Sequence, residues 1–209
     1  VEFDPVTTEQ RIVIDAHKEC ELDAKGFAAQ AKIHTRNFVG PSGIIYVGTK
    51  QGYAKEGDNS KYAGGYLITY DPRNDKSSNL GMPYKEQGIA DVVADEDRGL
   101  IYVVTCEDQH WMKYDVTTKK FTEIGPMLTP YATTLVGADG KAHALTKDFH
   151  LATYDPATGK VIERKIEING KQFVRPNNSA IPTWNLATDG RTAWLILMND
   201  ATLISIDLS

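Results

Sequence analysis

Three basic residues, Lys32, His34 and Arg36, occupy alternate positions of one short stretch of the chain. In an extended strand, alternate residues face the same side, so this pattern predicts one face with three basic side chains. Such a face is energetically costly unless it meets water, acidic side chains or an anionic ligand. Two interpretations stay open: recognition of a small anionic ligand, and ion pairs to acids such as Asp91 or Asp108 in a water-filled channel.

The same residues could act chemically on an acidic saccharide. Arg36 and Lys32 would neutralise the carboxylate of a uronate, and His34 would remove the proton α to it. Tyr53 or His110 would then serve as the acid, which gives the reaction of a polysaccharide lyase.

The alternative is a module without catalytic activity that binds a ligand or a partner protein at the same place. The chain has no Ser-His-Asp order, no phosphate-binding Gly loop and no His-Glu-x-x-His motif. The sequence therefore ranks the binding module ahead of the enzyme.

Polar residues of other predicted loops extend this candidate site, because loops at the ends of apolar strands often carry binding residues. The candidates for ligand binding, together with Lys32, are Lys50, Gln51, Asp108, Lys147 and Asp148. The charged turn at 95–98 is interpreted as solvated surface.

Two short phrases repeat along the chain and define the elements that carry these residues. The first phrase, an aromatic or aliphatic residue followed by Asp and usually Pro, occurs at residues 3–5, 70–72, 114–116, 154–156 and 206–208. The second phrase, a Gly turn before an apolar run, occurs at residues 43–49, 99–105, 140–146 and 190–197. They alternate with a period of roughly 40 to 50 residues, which is typical of repeat proteins. The sequence therefore predicts an all-β protein, a β-propeller of four-stranded antiparallel blades.

The predicted units are a partial blade at 1–15, blades at about 31–81, 88–124 and 131–166, and a partial blade at 183–209. Two strands at one end and three at the other exceed one four-stranded blade, which favours an arc of about four blades from a ring of seven or eight. Because exposed blade edges invite aggregation, the remaining blades are expected from a longer parent chain or from a partner subunit. A self-closed ring of four blades is the alternative.

In a propeller, the first strand of each blade lines the central channel. The loops from second to third strand and from fourth to first strand open on one face, so the candidate loop residues are expected there. Cys20 and Cys106 fall on the same face in neighbouring units. A disulfide between them is geometrically reasonable, although two free thiols are favoured.

Composition excludes several functions. The net charge of -5 and the scattered Lys and Arg residues argue against nucleic-acid binding, which needs a basic surface. No apolar run approaches the roughly 20 residues that span a bilayer, so no membrane segment is expected. The two cysteines form no Cys-x-x-Cys pair and the five histidines are dispersed, so the sequence predicts no metal and no cofactor. A periplasmic or secreted location is slightly favoured.

The Tyr-Asp-Pro-x-Thr-Gly-Lys turn at 154–160 and the Asp-Gly hairpins at 139–140 and 189–190 resemble those of the bacterial YVTN and quinoprotein-like β-propeller superfamily. The resemblance covers nearly the whole chain and implies the propeller fold. Members of this group include lactonases, polysaccharide lyases and non-catalytic binding propellers. The Trp-docking motifs of the quinone-binding members are not recognisable, so the resemblance implies no quinone cofactor.

Overall fold

The computed structural model describes residues 1–27, 32–52, 61–174, 182–197 and 202–209. Within these ranges nearly all regular secondary structure is β-strand, and the described helices are two of four residues each. This confirms the all-β class that the sequence predicts.

The elements follow one another along the chain as hairpins and antiparallel sheets. The first elements are β1 (Glu2–Phe3), β2 (Gln10–Arg11), α1 (Ala16–Glu19) and α2 (Leu22–Lys25). The first blade contains β3 (Lys32–Ile33), β4 (Phe38–Val39), β5 (Ile45–Lys50), β6 (Leu67–Asp71) and β7 (Lys76–Gly81). The second blade contains β8 (Gly88–Asp95), β9 (Leu100–Cys106), β10 (Trp111–Asp115) and β11 (Lys120–Glu123). The third blade contains β12 (Thr134–Val136), β13 (Ala142–Leu145), β14 (His150–Asp155) and β15 (Lys160–Lys165). A hairpin of β16 (Glu167–Ile168) and β17 (Lys171–Gln172) leads to the last sheet, β18 (Pro182–Leu186), β19 (Thr192–Leu197) and β20 (Thr202–Asp207).

The strands of each sheet pair in sequence order. The second and third blades are four-stranded meanders, and the last sheet has the same order with three strands among the described residues. In the first blade, β3 and β4 both pair with β5, which continues to β6 and β7. Such antiparallel sheets are the blades of a β-propeller, so the predicted fold class is confirmed.

The Asp of the repeated phrase closes the turn between the third and fourth strands of a blade. Asp155 Oδ1 accepts a hydrogen bond from the N–H of Ala157 at 2.8 Å, and its carbonyl oxygen accepts one from Gly159 at 2.8 Å. Gly159 takes a positive φ of 68°, which glycine adopts without steric cost. Asp115 Oδ1 caps the equivalent turn by accepting from the N–H of Thr118 at 2.8 Å. The repeated phrase is therefore a turn signal.

The hydrophobic core lies between neighbouring blades because a strand inside a blade, such as β9, buries both of its faces. Along β9, Ile101 and Val103 pack toward the first blade, while Tyr102 and Val104 pack toward the third. This follows from the two-residue alternation of a strand and explains why the second strands read as continuous apolar runs. The outer face of the first blade is covered by the segment around α1 and α2, which buries Leu22.

The inner edge of the first blade is not the continuous strand that the sequence predicts over 32–38. The chain bends at Thr35, between β3 and β4. The carbonyl oxygen of Gly48 accepts hydrogen bonds from the N–H groups of His34 at 2.9 Å and Thr35 at 3.5 Å, and Thr35 Oγ1 accepts one from Gly48 at 2.9 Å. Two residues thus oppose one, as in a β-bulge, and the strand is interrupted.

The two ends of the blades are built from different loops. Gln87, between β7 and β8, donates to Asp108 Oδ2, between β9 and β10, at 2.9 Å, so these connections share one end, here called the loop end. The hairpins between first and second strands meet at the opposite hairpin end. There, Ser42 donates to Glu96 in the next blade at 2.6 Å.

The last sheet has one buried and one exposed apolar face. Trp184 and Leu195 pack against the third blade. On the other face, Trp194, Ile196 and Leu203 are 45%, 46% and 59% exposed, and Ile196 lies opposite Leu203 in the strand pairing. The last sheet therefore presents the kind of surface that other blades bury against a neighbour.

Candidate functional site

Arg36 lies where the inner edges of three blades meet. Its Nε is 2.9 Å from Asp91 Oδ1 in an ion pair, and its Nη2 donates to Asp91 Oδ2 at 3.1 Å. The same Nη2 donates to the carbonyl oxygen of Thr134 at 2.8 Å. Asp91 also accepts from the N–H of Thr134 at 2.8 Å. Since Asp91 belongs to the second blade and Thr134 to the third, this network joins all three blades.

The carboxyl group of Asp91 is 1% exposed, whereas the Arg36 side chain is 34% exposed. Burial raises the pKa of Asp91 to about 6, although Arg36 and the N–H of Thr134 act in the opposite direction. Asp91 is thus ionised at neutral pH and takes up a proton only in mildly acidic solution.

The raised pKa of Asp91 predicts that this group makes the protein less stable as the pH rises from about 4 to about 6. In that range the folded carboxyl still holds a proton that the unfolded carboxyl has released, so raising the pH favours unfolding. Well above about pH 6 the carboxyl is ionised in both states, and stability no longer changes with pH through this group. Denaturant unfolding gives the free energy of unfolding of the wild type and of Asp91→Asn. The difference between the two should change by roughly 3 kcal/mol from about pH 4 to pH 7. A difference that stays constant with pH would contradict this account.

A cleft of about 400 Å³ opens beside Arg36 at the hairpin end. Phe38 and Pro41 of the first blade and Leu186 of the last sheet line it, together with the inner-strand ends of the second and third blades. A mainly apolar cleft of this size with a few fixed polar groups is the usual form of a small-molecule site.

The charged side chains of the cleft are mostly held by protein partners. Arg98 Nη1 is 3.0 Å from Asp95 Oδ2. Glu96 accepts hydrogen bonds from Ser42 and, at 2.8 Å, from the hydroxyl of Tyr46. Partial burial raises the pKa of Glu96, but these hydrogen bonds outweigh burial and hold it below its usual value, so Glu96 stays ionised.

A second group of predicted residues meets at the loop end. Lys50 Nζ lies 2.5 Å from Glu107 Oε1, and Glu107 Oε2 accepts from the N–H of Gly88 at 2.9 Å. His34 Nδ1 is 2.8 Å from the carbonyl oxygen of Ile89, so Nδ1 carries a proton and donates it to that oxygen. Because these charges and donors already have partners, the loop-end group resembles a structural network between two blades.

The other loop-end candidates are more dispersed. His110 stacks on Tyr84 with ring centroids 3.8 Å apart, and its Nδ1 lies 2.7 Å from Glu123 Oε1. Lys32 is exposed opposite Lys50 in the strand pairing, and Gln51 is half-buried. Lys147 and Asp148 are exposed beside the third blade, and Tyr53 lies outside the described residues.

The side chains of His34 and Arg36, which the sequence places on one face, both reach β8 of the second blade: His34 contacts Ile89 and Arg36 contacts Asp91. Of the two, Arg36 also lines the cleft at the hairpin end. Glu96 and Asp97 could not be identified from the sequence, because a charged turn between two strands is indistinguishable from solvated surface until its neighbours are known.

Cys20 and Cys106 are free thiols, and both are buried. Cys106 Sγ lies 4.0 Å from His34 Nδ1, and burial raises the pKa of Cys106 to about 11. The thiol of Cys106 is therefore protonated and a poor nucleophile at neutral pH. Among the described residues, no group of three or more His, Cys, Asp or Glu side chains is placed to hold a metal ion. None of the described helices is long and apolar enough to cross a membrane.

Comparison with solved structures finds similar folds among proteins of Bacteroides. An auxiliary nutrient binding protein from Bacteroides thetaiotaomicron matches with a TM-score of 0.56 and 10% identity, over 87% of this chain and 39% of that chain. One from Bacteroides ovatus matches with a TM-score of 0.54 and 12% identity, over 84% and 45%. The extracellular domain of a one-component system from B. thetaiotaomicron matches with a TM-score of 0.54 and 18% identity, over 84% and 21%.

At these identities the likeness concerns the fold alone, and this chain spans less than half the length of each of the three. No protein-family model matches the chain. No curated protein matches it in sequence. The comparisons thus describe the chain as similar in fold to β-propeller-like nutrient-binding and extracellular domains.

Proposed function

We propose that this chain is a small-ligand-binding β-propeller module whose site is the cleft beside Arg36. The observation that carries the proposal is the position of Arg36, fixed by Asp91 and Thr134 of two other blades at the wall of a cleft of about 400 Å³. A guanidinium held in this way loses little conformational freedom when it donates to a ligand. The nutrient-binding proteins with a similar fold support the same class of function.

The lyase reaction receives less support from the geometry. It requires Arg36 to neutralise a substrate carboxylate, yet the charge of Arg36 already faces the buried carboxylate of Asp91. It also requires His34 as the base, and His34 Nδ1 already donates to the carbonyl oxygen of Ile89. Binding without catalysis requires neither a free charge on Arg36 nor a base at His34.

The proposal includes further blades that continue the ring beyond the last sheet. Trp194, Ile196 and Leu203 form an apolar face of the kind that buries against the next blade elsewhere in the chain. The matched region is less than half of each of the three similar solved structures, which supports a larger ring. Membership of the YVTN and quinoprotein-like superfamily belongs to the same proposal and rests on the turn motifs.

Calorimetric titration with three disaccharides tests the binding function. The probes are cellobiose, digalacturonate and a glucosamine disaccharide, which are equal in length and differ in charge. We expect at least one probe to bind the wild type, and Arg36→Lys to weaken it roughly tenfold, because lysine keeps the charge but loses the fork of donors.

The matched control is Arg164→Lys on β15, an exposed arginine that donates to the carbonyl oxygens of Leu208 and Ser209. This variant should bind the probes as the wild type does. If no probe binds, or if both variants weaken binding equally, the cleft beside Arg36 is not the site.

A further inference from the structure

We propose that the cleft takes an uncharged, hydroxyl-bearing ligand, of which a neutral saccharide is the simplest example. This inference rests on the proposed function, because it presumes that the cleft binds a small molecule. It replaces the acidic saccharide that the basic stretch of the sequence suggests, and the reason lies in the charges that the fold brings to the cleft.

Carboxylates outnumber cations at the cleft. Arg36 is paired with Asp91, and Arg98 is paired with Asp95, so neither guanidinium carries an uncompensated charge. Glu96 and Asp97 add two further carboxylates to the lining. A uronate entering the cleft would meet like charges, and the described lining residues offer it no cation without an ion pair, which costs affinity.

The hydrogen-bonding groups of the cleft suit hydroxyl groups. Arg36 can only donate, whereas the carboxylate of Glu96 can only accept. Glu96 Oε1 accepts from the hydroxyls of Ser42 and Tyr46, and Oε2 accepts from the N–H of Ser42, so the carboxylate is held in one orientation and one lone pair of Oε2 remains for a ligand. A hydroxyl group both donates and accepts, and a ligand with several hydroxyls can therefore serve both kinds of partner at once.

A cationic ligand fits less well, although the carboxylates are in excess. An ammonium group in the cleft would lie near the guanidinium groups of Arg36 and Arg98. Two lining carboxylates have no ion pair among the described residues: Glu96, whose oxygens accept hydrogen bonds from Ser42 and Tyr46, and Asp97, which is exposed. An ammonium group would therefore find one carboxylate already hydrogen-bonded and the other facing water.

The apolar walls complete the match to a sugar ring. Phe38 is half-buried and lies against Tyr46 with ring centroids 6.1 Å apart at an angle of 57°, so its ring is fixed by packing. Pro41 and Leu186 line the same cleft. The C–H faces of a pyranose can bury against such a surface while its hydroxyls reach Arg36 and Glu96.

The three disaccharides separate this inference from the binding function itself. We expect cellobiose to bind roughly tenfold more tightly than digalacturonate and the glucosamine disaccharide, since each charged probe loses one favourable pairing and meets a like charge. Added NaCl should leave the affinity for cellobiose unchanged, because no net charge is neutralised on binding.

Tightest binding of digalacturonate or of the glucosamine disaccharide, with loss in Arg36→Lys, would overturn the inference and leave the binding function intact. Failure of all three probes would overturn both. Asp97→Asn offers a second test that does not depend on the buried network. It should strengthen the binding of digalacturonate relative to that of cellobiose. An unchanged ratio of the two affinities would contradict the proposal that negative charge at the cleft disfavours an anionic ligand.

Discussion

Replacing Arg36 by Met is expected to lower the free energy of unfolding by about 3–5 kcal/mol at neutral pH, because it leaves a buried carboxylate without its counter-ion. Asp91 is 1% exposed and ionised above about pH 6, so water cannot compensate for the lost guanidinium. The variant also removes the hydrogen bond to the carbonyl oxygen of Thr134. Denaturant unfolding followed by tryptophan fluorescence measures the loss.

Two controls identify the cause of the Arg36→Met effect. The double variant Arg36→Met with Asp91→Asn should be more stable than Arg36→Met alone, since it removes the unpaired charge. At about pH 5, where the raised pKa lets Asp91 bind a proton, the single variant should lose less stability. Equal losses at both pH values would show that packing, and not the charge of Asp91, explains the destabilisation.

The second large effect is expected for Trp184→Ala in the last sheet, with a loss of about 3–5 kcal/mol. Trp184 is 1% exposed in the core between the third blade and the last sheet, and its Nε1 donates to the carbonyl oxygen of Thr133 at 3.1 Å. Alanine would leave a large cavity and an unpaired carbonyl oxygen. Thermal or denaturant unfolding measures the change.

Trp194 provides the matched control because it lies on the next strand of the same sheet and is 45% exposed. In the isolated chain, Trp194→Ala should change stability by only about 0.5 kcal/mol, as is usual for surface positions. Comparable losses for the two tryptophans would contradict the assignment of buried and exposed faces in the last sheet.

The propeller fold could be predicted from sequence because its signals are local. The Asp of each repeated phrase closes a turn with its own neighbours, as Asp155 does with Ala157 and Gly159. The alternation of β9, with Ile101 and Tyr102 facing opposite blades, likewise depends only on consecutive residues. Repetition of local signals at one spacing was enough to specify the blades.

The bend at Thr35 could not be predicted in the same way. It depends on hydrogen bonds between Thr35 and Gly48, thirteen positions apart, whose register is not visible in the pattern of side chains. The alternation rule therefore predicts that His34 and Arg36 face the same way, and both do contact β8, but it does not predict the interruption of the strand between them.

The cleft lay beyond sequence analysis because its parts come from separate blades. Arg36 stood out as a basic residue on an inner strand, and its pairing with Asp91 was one of the open interpretations. Nothing in the sequence connects Glu96 with Ser42, more than fifty positions earlier, and their contact is what fixes a carboxylate at the cleft. The charge balance that argues against an anionic ligand emerges only when the blades are assembled.

Side-chain nitrogen NMR of the arginines during titration with cellobiose tests most directly whether the cleft beside Arg36 binds a ligand. The Nε–H signal of Arg36 lies beside Asp91 at the cleft, whereas Arg164 lies on the outer strand of the third blade. We expect the Arg36 signal to shift in proportion to bound ligand and the Arg164 signal to stay in place. Shifts confined to the loop end, at the His34 ring or Lys50, with Arg36 unchanged, would contradict it.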